Sequence, residues 1–169
     1  MEDYPERVRV QTIKEILPGL FQGDSIISEE TVRTNRIGYF VDCTRNLERP
    51  DYTLGNVPFI KLNFDDGQLP LFPEVTDKAI DFIRAALEKD IVFYPDHPEI
   101  ASTEPNVLAY GDTSRTSFIT LAYLIWFMGQ AEATSHLTSK NPIANYHSVY
   151  ESVLIGKDQA ITIKRNRWW

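Results

Sequence analysis

The run from Asn106 to Met128, NVLAYGDTSRTSFITLAYLIWFM, leaves the chain few options, because an apolar strand-like stretch passes through a tight polar loop directly into an apolar helix. Val107 to Tyr110 has strand character, Gly111 allows a sharp turn, and Asp112, Thr113 and Ser114 favour caps and turns. The pattern predicts a helix opening near Arg115. Phe118, Leu121, Leu124, Ile125 and Met128 cover nearly every helical face, so this helix is expected at the centre of the fold, with Gly129 as its C-cap.

A strand feeding through a short loop into a helix N-terminus is an anion-binding geometry, since unpaired N–H groups and the helix dipole point at the loop. Arg115 in the first turn would add a bidentate fork for phosphate. On residue type alone, an arginine near a helix start is more commonly a solvated surface residue, and strand, Gly turn and helix recur in most α/β domains.

The remaining elements fit the same class. Leu20 to Gln22 forms a short strand before Gly23-Asp24, and Ser28 N-caps a short helix that carries Glu29 and Glu30 in its first turn and ends near Asn35. Gly38 leads into a strand from Tyr39 to Thr44. From Val57 to Phe64 the residues alternate, with Ile60, Leu62 and Phe64 on one face, which predicts a further strand. A helix is expected over Glu74 to Lys89. Pro95, Pro98 and Pro105 predict an exposed irregular segment between Asp90 and Asn106. Asn141-Pro142 precedes an amphipathic helix with Tyr146, Val149, Tyr150, Val153 and Leu154.

A chain of 169 residues fits one domain with a real core. The expected division is an arm over residues 1–11, a domain over 12–157, and a basic, aromatic tail over 158–169. A net charge of −7 argues against nonspecific nucleic-acid binding by the domain as a whole and favours protein partners. The tail departs from that balance: Lys164, Arg165, Arg167, Trp168 and Trp169 suit a protein groove or contact with RNA, and are the expected partner-binding residues. One cysteine, Cys43, excludes an internal disulfide, and its strand-like setting predicts a buried structural thiol. With no apolar run long enough to span a bilayer and no signal-peptide pattern at its start, the chain is expected to be intracellular, in the cytoplasm, without membrane contact. His97, His136 and His147 lack metal-ligand spacing, so neither a metal nor another cofactor is expected.

VLAYGDTSRT resembles the signature V-L-V-H-C-x-x-G-x-S-R-S of the cysteine-dependent dual-specificity protein phosphatases, without its cysteine. IKEILPGLFQG, from Ile13 to Gly23, resembles the opening of these phosphatases, and LNFDDG, from Leu62 to Gly67, resembles the loop that carries their general acid. The resemblance spans Ile13 to Leu154. Among the family it is closest to the STYX-type pseudophosphatases, in which glycine replaces the cysteine. It implies an α/β fold in three layers, a central, mainly parallel sheet flanked by helices, with Val107 to Tyr110 inside it and Tyr39 to Thr44 and Ile60 to Phe64 among its neighbours.

Carried over residue by residue, two alignments stay open. Matching Val107-Leu108 puts Tyr110 at the histidine and Gly111 at the cysteine, with the loop to Arg115 two residues short. Matching Arg115 without a gap puts Ala109 at the cysteine. The general acid falls on Asp66 or Asp65. Gly111, Asp112, Thr113, Ser114 and Arg115 would be a vestigial phosphate loop. Neither Gly nor Ala can form a cysteinyl phosphate, so the resemblance implies an inactive, phosphatase-like protein acting as a protein-binding or structural subunit of a larger assembly. The alternatives are a phosphoprotein-binding module and a phosphatase using Asp112 or Thr113 as nucleophile. The last lacks a nearby second carboxylate for a metal.

Overall fold

The computed structural model describes residues 13–23, 28–44, 58–62, 72–88, 104–146 and 148–167. The described elements are strand β1 (Lys14–Leu17), β2 (Leu20–Gly23), helix α1 (Glu29–Thr34), β3 (Ile37–Cys43), β4 (Phe59–Lys61), α2 (Phe72–Glu88), β5 (Asn106–Gly111), α3 (Thr113–Ile125), α4 (Gln130–Lys140) and, after a single 3-10 turn (Ser148–Tyr150), α5 (Glu151–Arg167).

The strands form one sheet in the order β1-β2-β5-β3-β4. β1 pairs with β2 antiparallel, and every other pairing is parallel. Strand β5 is the middle strand, with Leu108 opposite Phe21 on one side and Phe40 on the other. Parallel strands need crossover connections, so this sheet has helices on both faces. The period of two along β5 shows it: Val107 and Ala109 join the larger core under α2, α3, α4 and α5, whereas Leu108 and Tyr110 face a smaller core with Phe21, Ile37 and Phe40, covered by Val32 of α1.

Helix α3 is central, with every residue from Arg115 to Ile125 buried. Helix α1 starts at the expected Ser28 cap, whose hydroxyl accepts from the Thr31 N–H, and ends at Asn35. Three expectations need correction. Strand β4 pairs with β3 and not with β5, so the segment around Ile60 is one strand removed from the middle strand. Gly129 is not the C-cap of α3, which ends at Ile125. It is the N-cap of α4, with φ −56 rather than a left-handed φ. The last helix begins at Glu151, later than Tyr146, and its backbone continues through the expected tail to Arg167. Phe64 and the segment 89–103 lie outside the described residues.

Candidate functional site

In a parallel sheet the carboxyl ends of the strands face the crevice where ligands of open α/β folds bind. Here that edge is formed by Gly23 of β2, Gly111 of β5, Cys43 of β3 and Lys61 of β4. Gly111 is the last residue of β5, and one residue, Asp112, separates it from the first helical residue, Thr113. Gly111 has φ +134, a conformation open essentially to glycine alone. A Cβ there would stand 2.8 Å from the Cys43 carbonyl carbon and 2.9 Å from the Thr44 nitrogen.

The two alignments of the sequence stretch have different structural meanings. Ala109 lies inside β5, paired with Gln22 and Val41 and fully buried in the larger core. It is two residues short of the strand end and faces no crevice. Tyr110 is buried on the opposite face of the sheet, its ring edge-on to Phe40 at 5.9 Å between centroids. Gly111 is thus the residue at the strand end, one residue before helix α3.

Asp112 caps α3. Its carboxylate accepts the Ser114 N–H at 2.8 Å, and its carbonyl accepts the Thr116 N–H at 2.9 Å. The side chain is exposed, with Thr113 and Ser114 half-buried beside it. A carboxylate from the chain itself therefore takes an N–H donor that an incoming anion would need, and it sets a negative charge at the helix N-terminus. Arg115, at the start of the buried stretch of α3, is only 1% exposed.

A polar cluster that the sequence reading missed sits next to Gly111. The buried Asp42 carboxylate accepts the Thr44 N–H at 2.8 Å, the Thr44 hydroxyl at 2.6 Å and Lys61 Nζ at 3.2 Å. Lys61 Nζ also donates to the Thr44 carbonyl at 2.6 Å and to its hydroxyl at 2.9 Å. This closes the end of β3 onto the end of β4. Cys43 is fully buried between these groups, and burial, then the Asp42 charge, pushes its thiol well above the ordinary range despite Arg115 and Lys61. The thiol is a core group, packed in the larger core with Tyr39 and Val41. The signal for the cluster was an aspartate inside the apolar run YFVDC.

A second missed network lies beneath the first turn of α3. Gln22 Nε2 donates to the Thr116 hydroxyl at 2.9 Å and the Ser117 hydroxyl at 3.0 Å, and its Oε1 accepts from Asn141 Nδ2 at 3.2 Å. It ties β2, α3 and the end of α4 together through buried side chains. A glutamine within the strand LFQG was its only trace in the sequence.

The expected acids Asp65 and Asp66 lie outside the described residues, as do His97, His147, Trp168 and Trp169. Lys164, Arg165 and Arg167 are placed by backbone alone, in the last turn of α5. His136 is engaged structurally, its Nε2 2.7 Å from the Ile16 carbonyl, which as an acceptor requires the ring N–H to donate. Among the described residues no group of three or more His, Cys, Asp or Glu side chains could hold a metal ion. No described helix is long and apolar enough to cross a membrane.

No family model matches the chain, and no curated protein matches it. Solved structures do. DUSP15 superposes with a TM-score of 0.72 at 18% identity over 93% of this chain and 94% of its own. Human DUSP28 gives 0.70 at 18% over 89% and 95%. The human tyrosine phosphatase-like serine/threonine/tyrosine-interacting protein gives 0.65 at 19% over 90% and 99%. At these identities the likeness is one of fold, and it agrees with the strand order and the central β5-α3 unit: the chain has the three-layer α/β fold of the dual-specificity phosphatases.

Proposed function

We propose that this chain is a pseudophosphatase, a dual-specificity phosphatase fold without cysteine-dependent catalysis, that serves as a protein-binding or structural subunit of a larger assembly. The observation that carries the reading is Gly111. It ends the strand in a left-handed conformation, with the Cys43 and Thr44 backbone filling the space of a side chain, and in the alignment that matches Val107-Leu108 it takes the place of the signature's cysteine. Glycine at that position matches the STYX-type variants of the family. The chain's one cysteine, Cys43, is buried in the core with a raised thiol.

The alternatives draw less support. A phosphoprotein-binding loop would have to displace the Asp112 carboxylate from the Ser114 N–H and tolerate its charge. An aspartyl-phosphate mechanism at Asp112 calls for a second carboxylate free to hold a metal, and the Asp42 carboxylate is occupied by Thr44 and Lys61. The acidic chain, with a net charge of −7, and a single reduced thiol suit an intracellular protein partner.

The test is hydrolysis of p-nitrophenyl phosphate by the purified chain, with and without magnesium. The reading expects no turnover in either condition. Magnesium-dependent turnover abolished by Asp112→Asn would replace it with the aspartyl mechanism.

A further inference from the structure

We draw no further inference here: the strongest candidate, the aromatic surface at the end of α3, where the exposed Phe127 ring stands edge-on to Tyr123 at 5.1 Å and Arg84 lies over the Trp126 ring at 4.6 Å, carries nothing because nothing in the structure shows what covers it.

Discussion

Gly111 and Cys43 lie side by side at the ends of two parallel strands, so close that a Cβ on the glycine would stand 2.8 Å from the Cys43 carbonyl carbon. A real Cβ does not make that contact, and the φ of +134 at Gly111 compounds it. Gly111→Cys is therefore expected to lower stability by roughly 2 to 4 kcal/mol, from backbone strain plus overpacking, and to restore no phosphatase activity. Urea unfolding checks the first part. Turnover by a stable Gly111→Cys protein would show that the strand end can open into a working loop.

Arg115 is expected to act in the fold. Its side chain is 1% exposed, while Asp112 holds the helix N-terminus. Arg115→Ala should cost about 2 kcal/mol or more, because it empties the space of one of the largest fully buried side chains in the fold. Affinity for a phosphotyrosyl peptide, by calorimetry, should be negligible before and after. Micromolar affinity lost in a still-folded Arg115→Ala protein would instead restore the phosphate-binding role.

The expectations that succeeded were those carried by local signals. The strand, glycine turn and apolar helix around Gly111 are contiguous, and the Ser28 cap with its two glutamates lies within three residues of sequence. Helix α4 leaves little trace in the sequence because only Ala133 and Leu137 of its eleven residues are buried, too few to set a periodic stripe, and a glycine such as Gly129 suits the end of one helix as well as the start of the next. The polar site next to Gly111 escaped for another reason: Asp42 and Lys61 meet only once β3 and β4 are paired, and no local pattern encodes that pairing.

The buried bridge from Gln22 to Thr116, Ser117 and Asn141 should matter to stability, since it joins three elements through side chains alone. Gln22→Leu keeps the volume and removes the amide, leaving polar atoms without their partner at a cost of about 1 to 3 kcal/mol. Chemical denaturation of this variant beside Gln22→Glu checks it. No change in either would mean that the bridge contributes nothing net.

Asp81 supplies a pH dependence. Burial, followed by the nearby Asp77 charge, raises its pKa above the ordinary carboxylate value, against the pull of Arg84 and Lys157. The folded chain holds this proton more tightly than the unfolded one. Its contribution is fully present below the unfolded value and is lost as pH rises through the folded one. Asp81→Asn should therefore raise Tm at neutral pH and make no difference well below the ordinary carboxylate range. An Asn variant less stable at pH 7 would reverse the sign.

Rapid-quench analysis with a labelled phosphotyrosyl peptide asks whether this chain forms a cysteinyl phosphate. A phosphatase of this family would show a burst of phosphoenzyme followed by phosphate release. This chain, with Gly111 at the strand end and Cys43 buried in the core, is predicted to show neither label on the protein nor released phosphate. A stoichiometric burst, abolished by Cys43→Ser or by Asp112→Asn, would contradict the account.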